Sequence, residues 1–280
     1  MLKQVKARVI SNEQILPEFR RQRGRSILGS YLIWLDCPEI VAEARPGQFV
    51  MVRCGGESVL PRPFSIHQVN EKGHLALLYA VLEDGKGTGW LARSKAGDTV
   101  EMFGPMGNGY SIPPTARHLL LLAGGIGIAP LYFLAQEALK KGRPVTLVYG
   151  TANKYGIDRT EDEALFPPIP LPDGIEVIDI TEDGSSGKKG RVTDLVLEFV
   201  DKADQIFACG PLPMYRDMAL RKHELGLDLK PVQVSLEVRM GCGRGVCYGC
   251  TVKTKRGLKL ACQDGPVFDL DDILWDEPIC

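Results

Sequence analysis

The sequence predicts a multi-domain β and α/β chain in three consecutive units: an antiparallel β-barrel over residues 1–113, a helix-covered parallel sheet over 114–236 and a small cysteine-bearing module over 237–280. Three observations carry that reading. Up to about Ile112, short segments of alternating apolar and polar residues are separated by Gly, Pro and Asn turns, the pattern of antiparallel strands closed into a barrel. From Arg117 to about Leu236, apolar runs alternate with helical stretches, as in a parallel sheet packed under helices. From about Glu237 that pattern gives way to a run rich in glycine and cysteine.

The first unit opens with MLKQVKARVI, which alternates as a half-buried strand does and lacks the basic start, apolar core and small-residue cleavage site of a signal peptide. No apolar run approaches the length of a membrane span. A formal net charge of −1 over 280 residues offers no basic surface to nucleic acid. The expectation is a cytoplasmic protein that engages neither membrane nor nucleic acid. Cys37 and Cys54 lie in strand-like segments and read as inert core thiols, and Cys280 as a free terminal residue.

In the same unit Arg62-Pro63-Phe64-Ser65 is followed by Gly85-Lys86-Gly87-Thr88-Gly89-Trp90-Leu91. Arg62 can hold a phosphate as a bidentate donor, and Gly87 and Thr88 open a short helix whose amides can meet the same anion. A surface arginine and an ordinary turn read equally well from these residues alone.

The proline-rich stretch Ser111–Thr115 marks the first boundary. The strand runs of the second unit are LLLLA, VTLVYG, IEVIDI, QIFACG and VQVSL. The first of them, Leu119–Ala123, runs straight into Gly124-Gly125-Ile126-Gly127-Ile128-Ala129-Pro130, after which Leu131, Leu134, Ala135 and Ala138 share one helix face. A strand, a glycine turn and a helix start let a pyrophosphate approach the backbone and sit against the positive helix terminus. The turn is not a complete G-x-G-x-x-G, and a tight strand-to-helix turn without a ligand needs similar glycines.

The third unit carries Cys242, Cys247, Cys250 and Cys262, a C-x4-C-x2-C run inside MGCGRGVCYGC followed after eleven residues by a fourth cysteine. This is the spacing of a plant-type 2Fe–2S site. Three thiolates so close in sequence converge on one inorganic core only if the backbone curls round it, and Gly241, Gly243, Gly245 and Gly249 permit that curl. A structural zinc site usually pairs two C-x2-C loops, and here only Cys247 and Cys250 form one. A disulfide staple would need an oxidising compartment that nothing in the chain marks.

His67, His74, His118 and His223 show no metal-ligand spacing, and no nucleophile elbow stands out. Two anion-cradling turns and a one-electron cluster cohere if the chain binds a flavin and a pyridine nucleotide. A nucleotide gives two electrons as a hydride, a cluster takes one, and a flavin does both.

The series RPFS, GKGT, GPMGNG, AGGIGIAP, TEDGS and CGP, in that order, resembles the ferredoxin reductase superfamily across residues 1 to about 232. With the cysteine module and its trailing ACQDGPVFD, the chain looks most like the electron-transfer subunits of type B dihydroorotate dehydrogenases, over essentially its full length. The resemblance implies an FAD-binding barrel, an NAD-binding α/β domain and a 2Fe–2S module. Arg62 would contact the FAD pyrophosphate and Ser65 would lie near the flavin N5, with Pro63 in the same segment. Phe64 stands where many reductases have tyrosine, so a packing role survives and a hydroxyl contact does not. Tyr79 and the Gly87-Thr88 turn would complete the FAD site. Gly125 and Gly127 would line the NAD site, with Asp183 nearby, and Cys209 would face the nicotinamide, although a buried strand-end thiol is an equally good reading of that residue. Cys242, Cys247, Cys250 and Cys262 would hold the cluster.

The same resemblance supplies a partner, an FMN-containing catalytic subunit that oxidises dihydroorotate in pyrimidine biosynthesis, in a heterotetramer of two copies each. Related reductase subunits of hydrogenases, sulfide dehydrogenases and transhydrogenase-type complexes share the three units, and a zinc-bound scaffold without redox activity is the non-enzyme alternative. After VTLVYG comes Thr151-Ala152-Asn153-Lys154, without the arginine that often receives a 2′-phosphate, which favours NAD over NADP.

Overall fold

The computed structural model describes residues 2–16, 26–56, 60–154 and 170–276. Cys280 and the stretch 155–169 of the second unit lie outside them. The first sheet has seven strands: β1 (Lys3–Leu16), β2 (Ile27–Asp36), β3 (Phe49–Val52), β4 (Arg62–Ser65), β5 (Gln68–Val69), β6 (His74–Leu82) and β7 (Thr99–Met106). They lie in the order β4-β3-β7-β1-β2-β6-β5, every pair antiparallel. Alternation along each strand sends Ala7, Val9, Ile33, Leu35, Val50, Val52, Leu75 and Leu77 into one core as the sheet curls. Helix α1 (Pro38–Val41) plugs one end through the fully buried Ile40, and α2 (Lys86–Ala92) packs on β6.

The second sheet is built from β8 (Leu119–Gly124), β9 (Val145–Thr151), β10 (Glu176–Thr181), β11 (Lys188–Lys189), β12 (Gln205–Cys209) and β13 (Val232–Ser235), all parallel, in the order β11-β10-β9-β8-β12-β13. The five apolar runs of the sequence are five of these strands. A strand covered on both faces has no polar side, which is why β8 reads as unbroken leucine. Leu119, Leu121 and Ala123 face helix α3 (Ile128–Lys140), whereas Leu120 and Leu122 face the layer of α4 (Val196–Phe199) and α5 (Leu212–Leu220).

The cysteine segment adds a hairpin, β14 (Thr251–Thr254) with β15 (Gly257–Leu260), and a last strand, β16 (Val267–Asp269). This last strand was not foreseen. It leaves its own module and pairs antiparallel with β13, Val267 opposite Ser235, so the C-terminal segment completes the edge of the parallel sheet. Three residues are too few to show a period of two, and only the tertiary partner makes them a strand. Among the described residues, no helix is long and apolar enough to cross a membrane.

The two sheets meet over a tight interface. Phe133 of α3 enters the barrel core, Tyr110 stands edge-on to Phe207 at 5.3 Å, and Gln205 donates through Nε2 to the Ser111 carbonyl at 2.9 Å. His67, fully buried, places Nδ1 2.8 Å from the Ala129 carbonyl at the start of α3 and packs its ring on Tyr132, while Nε2 has no partner. A proton on Nε2 would be buried without an acceptor, and desolvation holds the ring down to about 4. The unfolded chain, with an ordinary histidine near 6.5, then binds more protons than the native state between those two values. Stability should therefore fall as pH is lowered through that window, by up to about 3 kcal/mol. Thermal midpoints measured from pH 7 to 4 should drop more steeply for the wild type than for His67→Asn, whose amide can still donate to Ala129. Identical slopes would remove His67 from the interface's pH response.

Candidate functional site

On the barrel side, antiparallel pairing sets Arg62, Pro63, Phe64 and Ser65 opposite Val52, Met51, Val50 and Phe49. Strand alternation buries Phe64 and leaves Arg62 and Ser65 partly open. The glycine turn comes to the same place: a Cβ on Gly87 would lie 3.3 Å from Cγ and Nε of Arg62, so this glycine lets the start of α2 close on the arginine. Thr88 donates to the Gly85 carbonyl at 3.3 Å and fixes the turn. Arg62 itself donates to the Leu60 carbonyl at 2.8 Å, which leaves the rest of its guanidinium fork facing outward. Tyr79 lies edge-on to Phe64 at 5.6 Å and stacks with Tyr31 at 5.7 Å, and its hydroxyl donates to Asn12 at 3.1 Å. Only 3 % exposed, Tyr79 supports Phe64 from behind rather than offering an open face.

On the other sheet, strand order reverses between β8 and β12, and the crevice beyond the carboxyl ends of the strands at such a reversal is where open α/β sheets take ligands. Both glycine loops converge there. A Cβ on Gly124 would meet Pro211 at 2.8 Å, and one on Gly127 would lie 2.0 Å from the Cys209 carbonyl oxygen. Gly125 has φ +55° and nothing within 4 Å of its absent Cβ, so its face opens on free space. The glycine pattern of the sequence thus splits into one position that needs close approach and one that needs an unusual backbone. Asp183 lies two strands along the same edge. It accepts from Ser185 through both N–H, at 2.9 Å, and hydroxyl, at 2.7 Å, bonds that hold its carboxyl below the usual range. The Ser185 hydroxyl oxygen accepts from the Lys154 amide at 2.7 Å, which closes the TEDGS loop on the segment after β9.

Cys209 is buried, 1 % exposed, and its thiol points at the Ser235 carbonyl, 3.8 Å away. Burial raises the thiol well above its ordinary range, so it stays protonated. Tyr215, which the sequence reading missed, holds this corner: its hydroxyl accepts from the Gly210 amide and donates to the Ser235 carbonyl, both at 2.7 Å. Nothing in a helical tyrosine announces such a pair of partners. Ser65 and Cys209, read together as the hydride neighbourhood, stand on different sheets, Ser65 on the barrel and Cys209 on the α/β domain.

The cysteine loop curls as its glycines allow, with positive φ at Gly243, Gly245 and, without glycine, Tyr248. It aims amides at sulfur. Arg244, Val246 and Cys247 donate to the Cys242 sulfur at 3.3, 3.4 and 3.4 Å, and Gly245 donates to Cys262 at 3.2 Å. Burial alone would raise the Cys242 thiol, but those amides bring it down to about 6. Burial and the neighbouring Cys250 push Cys262 up to about 12. Among the described residues, no three His, Cys, Asp or Glu side chains gather as the ligand set of one metal ion. The thiols instead lie as neighbours, Cys242 beside Cys247 and Cys250 beside Cys262, with Cys242 also close enough to Cys262 to act on it. A two-iron cluster takes two thiolates on each iron, whereas zinc asks for four on one point, so the donor set fits the cluster. Gly243 presses on Met51 and Met106, where a Cβ would approach to 2.7 and 3.1 Å, and this seats the loop on the barrel.

Cys37 and Cys54 are buried with thiols pushed up to about 12 and 11, as inert core cysteines are.

Three family models match the chain: an oxidoreductase FAD-binding domain over residues 30–110, an oxidoreductase NAD-binding domain over 121–219, and the iron-sulfur cluster binding domain of dihydroorotate dehydrogenase B over 237–274. These domains bind FAD, NAD and an iron-sulfur cluster. The electron transfer subunit of dihydroorotate dehydrogenase B (NAD(+)) from Desulforamulus reducens is 40 % identical over 262 residues, 88 % of this chain and 93 % of the relative. Its counterpart from Caldanaerobacter subterraneus is 34 % identical over 97 % of this chain and 98 % of its own. Among solved structures, a chain of the NADH-dependent reduced ferredoxin-NADP oxidoreductase superposes with a TM-score of 0.77 at 30 % identity, over 97 % of this chain and 91 % of that one. A ferredoxin NADP+ reductase from Neisseria gonorrhoeae, at 16 % identity and a TM-score of 0.60, covers 80 % of this chain and 92 % of its own and shows the fold alone.

Proposed function

The chain belongs to the electron-transfer subunits of dihydroorotate dehydrogenase B, and from that premise we propose that it receives electrons from the FMN of a separate dihydroorotate-oxidising subunit and delivers them to NAD+, in a cytoplasmic heterotetramer of two copies each that serves pyrimidine biosynthesis. The single observation that carries the reading is the conjunction of three seats in one chain: the Arg62–Gly87 cradle, the glycine crevice between β8 and β12, and the paired thiols. When bound, FAD exchanges a hydride with the nucleotide and single electrons with the cluster.

The residues do the holding. Arg62 would present its guanidinium to the FAD pyrophosphate, with Gly87 and Thr88 closing over it. Phe64, braced by Tyr79, and Pro63 would shape the wall, and Ser65 would lie near the flavin N5. Gly125 and Gly127 would admit the NAD pyrophosphate, Asp183 would lie toward the adenosine end, and Cys209 would stand by the nicotinamide without ionising. Cys242, Cys247, Cys250 and Cys262 would hold the cluster, two thiolates to each iron. The working division of the chain is 1–113 for FAD, 114–236 for NAD and 237–280 for the cluster, with β16 lent to the second unit.

The likeness to the ferredoxin-NADP oxidoreductase chain favours one second reading, a reductase subunit of a transhydrogenase-type complex. One experiment separates the two. The purified chain, with full flavin and iron, is mixed with a dihydroorotate dehydrogenase catalytic subunit and supplied with dihydroorotate and NAD+ or NADP+. Stable complex formation and dihydroorotate-dependent reduction of NAD+ are expected. Neither complex nor NADH, with NADPH as the better reductant of the flavin, would transfer the chain to the second reading.

A further inference from the structure

Arg244 does two things at once in the cysteine loop. Its amide donates to Cys242, a member of the first thiol pair, and the next amide, of Gly245, donates to Cys262, a member of the second. The peptide group joining them is held from its other side, because the Arg244 carbonyl accepts from Gln263 Nε2 at 3.0 Å. Gln263 lies flat on Gly245, where a Cβ would come within 2.3 Å of its amide carbon. An amide whose carbonyl is already engaged is a better N–H donor, so Gln263 strengthens the bond to Cys262.

The side chain of Arg244 turns away from the loop and lays its guanidinium over Phe103, 4.6 Å from the ring centroid. Phe103 belongs to β7, faces Met51 across the sheet and is 5 % exposed. The only cation–π contact between the ligand loop and the barrel among the described residues is therefore made by the residue that also spans both thiol pairs.

We propose that Arg244 is a positioning residue for the cluster: stacked on Phe103, it fixes the two sulfur-directed amides against the barrel and keeps a positive charge on the barrel wall against which the loop is seated, which raises the cluster's reduction potential. The proposal rests on the cluster reading of the four cysteines. Reduction adds one negative charge, and amide donors and nearby cations favour the more negative state. The guanidinium is exposed, so its effect is modest and partly screened by salt.

The test uses the full-length, iron-replete protein and an EPR-monitored redox titration at low and high ionic strength. Arg244→Ala should lower the ratio of reduced to oxidised cluster at a fixed potential about three- to fivefold, the Coulomb effect of one unit charge roughly 10 Å away at an effective dielectric between that of a protein surface and that of water. The shift should shrink at high salt, and Arg244→Lys should recover part of it. An unchanged or raised midpoint in iron-replete Arg244→Ala overturns the proposal. Should that variant take up no iron, Phe103→Leu, which keeps the apolar wall and removes the ring, decides: a lowered midpoint supports the role and an unchanged one overturns it. A wild-type protein without iron would instead defeat the cluster reading itself.

Discussion

Cys262→Ser is expected to empty the cluster site and to stop electron exchange with the catalytic subunit while leaving the nucleotide–flavin half at work. Cys262 is 2 % exposed and accepts from the Gly245 amide, so no water or alternative side chain can take its place. A serine oxygen is a hard ligand in a set that iron and sulfide require to be soft. Its partner Cys250 is equally buried, and one pair cannot hold an iron with a single thiolate. Dihydroorotate-linked NAD+ reduction should fall by more than about 100-fold, since even second-shell losses at metal sites reach that scale. NADH oxidation with a small soluble acceptor such as ferricyanide needs only the sites on the two sheets and should stay within about twofold of the wild type, a tolerance set by ordinary surface-level perturbation. Iron content, the visible spectrum and the two activities are read side by side. Wild-type iron with undiminished dihydroorotate-linked flux would mean that the four thiols are not the route.

The second large effect separates two glycines that the sequence presents as equals. Gly127→Ala must put a methyl 2.0 Å from the Cys209 carbonyl oxygen and 2.4 Å from its carbon, and both contacts are backbone, which cannot swing aside as a side chain can. Relief requires the β8 and β12 loops to part. Overpacking of this kind costs about 3 kcal/mol, and the same movement should weaken NAD binding by at least about tenfold. At Gly125 the opposite holds: there is room, but φ is +55°, so alanine costs about 1 kcal/mol from conformation alone. Its methyl would stand in the open crevice, so Gly125→Ala should lose nucleotide affinity with little loss of thermal stability. Melting curves and NAD titrations of both variants check this pattern. Equal destabilisation by the two would show that the loops do not bear on one another as described.

Much of the fold was legible because its signals are local. Each of the runs LLLLA, VTLVYG, IEVIDI, QIFACG and VQVSL is a strand, and the helix after the glycine turn buries Leu131, Leu134, Ala135 and Ala138 as its spacing foretold. The cysteine pattern was legible for the same reason, since three of its four cysteines lie in one short loop. What escaped was set by distant partners. Val267–Asp269 becomes a strand only beside β13, Tyr215 matters only through Gly210 and Ser235, and His67 only through Ala129. Tyr79 was read as part of the flavin site, yet whether its ring is open or braced depends on Tyr31 and Phe64, which no spacing reveals.

The cysteine module touches both halves: β16 is hydrogen-bonded into the parallel sheet, and Gly243 and Arg244 are pressed onto Met51, Met106 and Phe103 of the barrel. It therefore works as a rivet. To rock the two halves apart about their seam, the β13–β16 pairing would have to break or Gly243 and Arg244 would have to lift off the barrel, so this segment opposes that motion.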